Sequence, residues 1–254
     1  MKKLLLPLLC LVFVTSCKES ESEKYPLDKP VWEISDYENV VREIIYNTND
    51  GEKFPTISDN PELFQRITDK AALAKILDDQ SLGLNYRQEF SEKLFNEWRS
   101  LIEAYSIKDK QDKFVYPMEV VKLRDWGYYI QIQYFKLGNE GIRKDAVNPD
   151  DLEVQQVIGD NKQIVVSNFV SGISFLTDED ALTNEALNEY GNVLKTNYTQ
   201  LIETFGGANF IELKQTINDI LKKVKSENIK SALNEIRTLI ESKEAAKEAD
   251  AVEN

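Results

Sequence analysis

The sequence predicts an α+β fold: N-terminal helices, a small antiparallel sheet with a hairpin around 116–137, and a C-terminal three-helix section. Two observations lead to this prediction. Apolar residues recur at the 3.6-residue spacing of helices in the first and last parts of the chain. Between these parts, β-branched and aromatic residues become dense and the spacing shortens to the two-residue period of a strand.

Three helices are predicted before the sheet. The segment 32–46 carries apolar residues at helical spacing. The segment 61–77 begins with Pro61, a residue suited to the first turn of a helix. A longer helix is predicted over 88–106, where one face carries Phe90, Leu94, Trp98, Leu101, Ile102 and Tyr105. A stripe of this kind is typical of a helix face packed in a core rather than of a cofactor site.

The predicted sheet centres on two segments, 118–124 and 128–137, which are rich in β-branched and aromatic residues. Asp125, Trp126 and Gly127 separate the two segments and predict a hairpin turn. Gly127 would supply the positive φ that a tight turn often needs.

The remainder of the chain is predicted to return to helices. After a loop over 138–151, a further strand is predicted over 164–176. The section 177–245 then carries three apolar stripes at helical spacing, which predict three helices. The last residues, 246–254, are charged and alanine-rich and are predicted to form a disordered tail. A single domain over 31–245 is the simpler interpretation, and two smaller domains are the alternative.

The N-terminus carries the parts of an export signal. Lys2 and Lys3 form a positive start, and residues 4–14 form an apolar stretch that only Pro7 interrupts. This stretch is much shorter than the roughly twenty residues that a membrane-spanning helix needs. A permanent transmembrane anchor is therefore not predicted.

Val14, Thr15, Ser16 and Cys17 follow the apolar stretch. They resemble the lipobox of bacterial lipoproteins, in which an aliphatic residue and two small residues precede the cysteine. The resemblance implies that residues 1–16 are a signal peptide cut before Cys17, and that the Cys17 thiol receives lipid. Two or three acyl chains hold a protein stably on a membrane. A secretory signal with an incidental cysteine is the alternative interpretation.

Residues 17–30 are predicted to form a lipidated, flexible tether, because they are mostly polar and charged. Lys18 and the acidic, serine-rich residues after it resemble the surface-export signal of Bacteroidota lipoproteins, although Ser20 interrupts the acidic pair. The retention signal of enteric inner-membrane lipoproteins has an aspartate where this chain has Lys18. The protein is therefore expected at the outer membrane, lipid-anchored and exposed on the cell surface.

Composition narrows the classes of function. The formal charge is −13, and subtracting the two signal-peptide lysines leaves −15. A protein this acidic repels nucleic acid, whose binding depends on cationic side chains. The chain has no histidine, and its two cysteines are Cys10, inside the signal peptide, and Cys17. The folded part therefore cannot build a serine–histidine triad or a thiolate or imidazole metal site. No catalytic residue, cofactor or metal is predicted, although catalysis by paired carboxylates stays open.

The aromatic residues of the predicted hairpin are the candidate ligand-binding residues. Trp126, Tyr128 and Tyr129 would lie near its tip, where aromatic rings stack on sugars or anchor a protein partner. The alternative is that these side chains point into the core and stabilise the sheet.

These observations predict a membrane-anchored envelope protein that acts as a non-catalytic interaction module. Its partners would be the membrane, through lipid on Cys17, and another envelope protein. One form of the hypothesis is an immunity-type protein whose acidity captures a basic toxin. The alternative function is glycan binding or processing at the cell surface, with the hairpin aromatics at the rim of the site.

Overall fold

The chain is all-helical over the residues that the structure describes. The structure is a computed structural model, and it describes residues 25–49 and 53–253. The α-helices in these ranges are α1 Ile34–Asn49, α2 Pro61–Ile67, α3 Lys70–Leu77, α4 Leu84–Tyr105, α5 Pro117–Asp145, α6 Leu152–Ser174, α7 Asn184–Thr204, α8 Ile211–Leu221 and α9 Glu227–Glu253. A short 3-10 helix, Phe175–Ala181, joins α6 to α7. The β pairing in this part of the chain is an isolated bridge between Lys108 and Phe114.

The predicted α+β fold is wrong, because the segment 116–137 forms no hairpin. Almost all of this segment lies in α5, the longest helix in the described ranges. α5 packs against α4, α6 and α7 and is apolar on more than one side. A helix buried on several sides shows no single apolar stripe, so its sequence resembles that of a buried strand.

Gly127 is a contact point between helices and not a turn residue. A Cβ atom built on Gly127 would lie 2.0 Å from the indole ring of Trp98 on α4. The absence of a side chain therefore lets the Trp98 ring lie directly against the backbone of α5. The glycine that suggested a hairpin turn instead permits close packing of α4 on α5.

The second predicted strand, 164–176, is also wrong. Most of it is the C-terminal half of α6, and the predicted loop over 138–151 is shorter because α5 continues to Asp145. Gly172, in the last turns of α6, again marks a close approach: a Cβ there would lie 2.6 Å from the Tyr128 hydroxyl oxygen.

Two apolar cores meet on α5. The N-terminal core consists of buried side chains from residues 25–105 and one face of α5, including Leu123 and Ile130. The C-terminal core consists of buried side chains from residues 165–240 and another face of α5, including Val121 and Ile132. α5 therefore belongs to both cores, and it separates the N-terminal helices from the C-terminal helices.

The predicted signal peptide, Cys17 and residues 18–24 of the tether lie outside the described residues. Within the rest of the predicted tether, Tyr25 is buried in the N-terminal core. The carbonyl oxygen of Pro26 accepts a hydrogen bond from the Trp32 indole at 2.9 Å. Packed structure thus includes part of the predicted tether, and at the other end α9 continues as a helix through Glu253.

No helix in the described ranges combines the length and the apolar composition needed to cross a bilayer.

Candidate functional site

The three aromatic residues predicted to bind a ligand lie in the middle of α5. Trp126 is fully buried, and its ring stacks on that of Tyr37 at a centroid distance of 6.0 Å. Tyr128 is 2 % exposed and Tyr129 is 8 % exposed. The hairpin tip on which the stacking hypothesis depends is absent, and these rings pack mainly against the protein itself.

Tyr128 belongs to a buried cluster of tyrosines that joins three helices. Its hydroxyl lies 2.6 Å from the hydroxyl of Tyr190 on α7. Tyr190 donates to the carbonyl oxygen of Gly172 at 3.0 Å, and Tyr198 donates to that of Phe169 at 2.6 Å. Burial raises the pKa of Tyr190 and of Tyr198 well above the ordinary value for tyrosine. Tyr190 and Tyr198 therefore stay neutral at physiological pH, and the hydrogen bonds of the cluster hold α5, α6 and α7 together.

A cleft that opens to solvent beside this cluster lies between α4 and α6, with α5 as its floor. We call it the α4–α6 groove, and its volume is about 680 Å³. Side chains from all three helices line it, among them Phe95, Trp98, Ile102, Arg124, Phe135 and Ile164. A volume of this size is within the usual range for ligand-binding clefts, which combine apolar walls with a few polar groups.

The apolar wall of the groove is held in place from α4. The Trp98 indole nitrogen donates to the carbonyl oxygen of Leu123 at 2.8 Å, and the ring lies against Gly127. The Phe95 ring is stacked on that of Tyr134 at 5.4 Å. On the opposite wall, Ile164 is 49 % exposed. The groove therefore presents a fixed aromatic surface facing an exposed aliphatic side chain.

Two arginines lie in the α4–α6 groove without a carboxylate partner. Arg124 donates from Nη1 to the carbonyl oxygen of Gly172 at 3.1 Å, and its guanidinium lies 4.3 Å from the centre of the Phe175 ring. Its Nε atom is buried and has no acceptor. Arg99 is exposed on the rim. Neither arginine pairs with a carboxylate among the described residues.

A second cleft, of about 530 Å³, lies between α2–α3 and α7 and differs in its electrostatics. Asp125 on α5 accepts hydrogen bonds from Lys70 at 2.6 Å and from Asn197 at 2.7 Å. The carboxylate of Asp125 is thus already paired within the protein. Lys122 and Glu189, which also line this cleft, make no ion pair among the described residues, so it combines unpaired charges of both signs.

Acidic residues that are neighbours in the sequence lie at or next to the ends of helices. The buried carboxylate of Glu179 accepts hydrogen bonds from the backbone N–H groups of Lys225 and Ser226, at 2.6 and 3.2 Å, next to the start of α9. Asp151 is the N-cap residue of α6, although its side chain makes no capping hydrogen bond. Across the described ranges, no group of three or more acidic or cysteine side chains is arranged to hold a metal ion.

Most of the groove lining is not predictable from the sequence pattern, which favours a core stripe for Trp98 and Ile102 and strands for Arg124 and Ile164. Only the packing of α4 and α6 on α5 brings these residues together, and no local pattern signals it. Of the predicted binding residues, Tyr128 alone contributes to the lining of the groove.

No family model, no curated protein and no solved structure matches this chain.

Proposed function

We propose that this chain is a bacterial lipoprotein, held at the outer membrane by lipid on Cys17, that docks another envelope protein in the α4–α6 groove. The lipobox-like residues before Cys17 support the anchor, and the polar, charged residues 18–24 supply a tether to the folded part. The role proposed for the folded part is binding without catalysis.

The observation that carries the docking proposal is the combination of apolar and charged surface in the groove. Trp98 and the half-exposed Ile164 line the groove beside two arginines that have no ion-pair partner among the described residues. Aromatic residues and arginine are enriched where proteins bind one another, because they combine a large contact area with directed hydrogen bonds. A partner that covers the groove would bury the apolar side chains and satisfy the arginine donors.

The charge of the protein favours a partner that is basic overall. The chain carries −13, or −15 after removal of the signal peptide. Opposite net charges raise the rate of association, and salt reduces this effect. An immunity-type protein that captures a basic toxin is one form of this proposal. The buried positions of Trp126 and Tyr129 give glycan binding no comparable surface at the site predicted for it.

The docking surface is tested by photo-crosslinking in the native host. A photoreactive amino acid replaces Ile164 in the groove or, as the matched control, Tyr46, which is 64 % exposed on α1 and does not line the groove. We expect one dominant crosslinked envelope protein from position 164 and not from position 46. Equal products from both positions, or no product above background from position 164, would contradict docking in the groove.

The anchor has its own test. Metabolic labelling with an alkyne fatty acid should label the wild-type protein and leave the Cys17→Ala variant unlabelled. The variant should also leave the membrane fraction. Protease treatment of intact cells then distinguishes a surface-exposed protein, which is degraded, from one on the periplasmic face, which is protected. Labelling of the Cys17→Ala variant would contradict lipidation at this position.

A further inference from the structure

We infer that the α4–α6 groove accepts an amphipathic helix of the partner, and that this helix carries one carboxylate among its apolar side chains, held between Arg99 and Arg124. This inference rests on the proposed docking function and adds to it the secondary structure and chemistry of the docked segment.

The groove has the shape of a binding site for a helix, because three helices surround it and one side is open. Lining residues lie at helical spacing on each wall: Phe95, Trp98 and Ile102 on α4, and Ile164, Asn168 and Ser171 on α6. The floor, on α5, follows the same spacing from Arg124 to Phe135. Three helix faces around an open channel leave the place that a fourth helix fills in a four-helix arrangement. Helix-in-groove binding uses this geometry, with apolar anchors at every third or fourth position.

The length of the groove fits a short helical segment. Its α4 wall extends from Phe95 to Ser106. Eleven steps of 1.5 Å give a wall of about 17 Å, which is about three helical turns. A docked segment of roughly ten to twelve residues would therefore contact the whole wall.

The arginines determine the charge of the docked segment. Arg124 uses Nη1 for the Gly172 carbonyl, whereas its Nε is buried and has no acceptor. Glu103 also lines the groove but pairs with neither arginine. A carboxylate accepts from guanidinium donors in a directed, charge-assisted geometry that a neutral amide does not match. An acidic side chain on the docked helix would accept from Nη2 of Arg124, which makes no hydrogen bond with the described residues, and would also be attracted by Arg99.

The chain itself is a poor source of this helix. The segment 18–24 reads Lys-Glu-Ser-Glu-Ser-Glu-Lys and has no apolar side chain to place against Trp98. A second copy of the protein carries the same net charge, −15 after removal of the signal peptide, and is repelled at long range. The occupant is therefore a different protein, basic overall so that it is attracted, with one acidic residue in the apolar stripe of its docking helix.

The test uses two synthetic peptides, so it does not depend on the identity of the partner. Both are sixteen-residue amphipathic helices of Leu, Ala and Lys with an N-terminal fluorescein. One carries a single Glu at the centre of its apolar stripe, and the other carries Gln at that position. Binding to the full folded domain is measured by fluorescence anisotropy, and Trp98 emission reports occupancy of the groove. Trp98 suits this purpose because Trp32 and Trp126 are almost fully buried.

We expect the wild-type protein to bind the Glu peptide at least ten times more tightly than the Gln peptide, as a charge-assisted pair requires. Arg124→Lys keeps the charge but loses the planar fork, and Arg99→Gln removes an exposed charge on which no described contact depends. Each should reduce the preference to less than threefold. Arg143→Gln, at the end of α5 and outside the groove, is the matched control and should keep the full preference.

Equal affinity of the wild type for the two peptides, a preference unchanged in both groove variants, or no binding of either peptide would overturn the inference. Thermal unfolding of each variant confirms that it is folded. The crosslinking test at position 164 is separate: a dominant partner there together with equal peptide affinities would retain the docking function and reject the carboxylate. Failure of the crosslink would reject docking in the groove itself.

Discussion

The N-terminal and C-terminal cores pack on the same helix but are built from different side chains. The N-terminal core is aromatic-rich, with Trp32, Tyr37, Phe54, Phe64, Phe90, Tyr105 and Trp126. The C-terminal core is largely aliphatic and lies between long helices, of which α6 has 23 residues and α7 has 21. By contrast, α2 and α3 on the N-terminal side have seven and eight residues.

This difference shows how the N-terminal half stabilises its short helices. Helices as short as α2 and α3 are marginal by themselves, so their stability depends on tertiary packing. Large aromatic side chains supply that packing, and their polar atoms also satisfy the loops. The Tyr105 hydroxyl donates to the Pro55 carbonyl oxygen at 2.8 Å, and the Trp32 indole does the same for Pro26. The N-terminal half should therefore depend more strongly on a few individual residues.

The largest effect on stability is expected from Trp126→Ala, because Trp126 lies on the side of α5 that packs in the N-terminal core. The side chain is fully buried, so its removal should lower the free energy of unfolding by about 3–5 kcal/mol. Hydrogen exchange should show a greater loss of protection in α1 and α4 than in α7 and α9, because only the former share its core. Equal loss of protection in both halves would contradict the separation of the two cores. Tyr86→Ala, at an exposed site, is the control and should change stability little.

A matched pair of glycine substitutions tests the contact between α4 and α5. Gly127→Ala should destabilise the protein by about 1–3 kcal/mol, because the new Cβ would overlap the Trp98 ring. Gly138→Ala, in the same helix but with no atom within 4 Å of the new Cβ, should stabilise it by about 0.5–1 kcal/mol. Chemical denaturation measures both. Stabilisation by both substitutions would show that Trp98 can move away and that the groove wall is not fixed.

A smaller effect is expected in the C-terminal core from Tyr198→Phe. The substitution keeps the ring packed against those of Tyr128 and Phe169 and removes the hydrogen bond to the Phe169 carbonyl oxygen. A loss of about 0.5–1.5 kcal/mol follows from one hydrogen bond of this kind. Urea unfolding measures it. No loss of stability would show that the hydroxyl cluster contributes nothing beyond the packing of the rings.

The smallest effect is expected from raising the pH. The free energy of unfolding should change little near neutrality and should fall at alkaline pH. Because the pKa of Tyr190 and of Tyr198 is raised in the folded state, the folded protein keeps these protons where the unfolded chain releases them. Their contribution is complete below the unfolded pKa of about 10 and is lost as the pH rises beyond it. Urea midpoints measured from pH 8 to pH 11 should be constant at first and then fall. Tyr190→Phe should make that fall less steep, and an unchanged slope would contradict the assignment.

How far sequence reasoning succeeds depends on how each helix is buried. α4 and α7 have one buried face, so residues such as Leu94 and Leu194 fall on a visible stripe. In α5, Val120 and Val121 are both fully buried but belong to different cores. No stripe is visible in such a segment, and its dense β-branched and aromatic residues imitate a strand. Gly127 added a hairpin turn to this wrong prediction. A glycine that allows an aromatic ring to pack against the backbone cannot be distinguished, in a sequence, from a glycine that allows a tight turn.

Properties that depend on residue types and local spacing follow directly from the sequence. These are the acidity, the absence of histidine and of any thiol after Cys17, and the amphipathic helices; the lipid anchor stays a prediction of the same kind. The packing of the helices makes α5 the shared centre of two cores and leaves a groove above it between α4 and α6, and no local pattern in the sequence contains this information. Trp98, Arg124 and Ile164 lie far apart in the chain, and side chains so separated become neighbours only when helices pack.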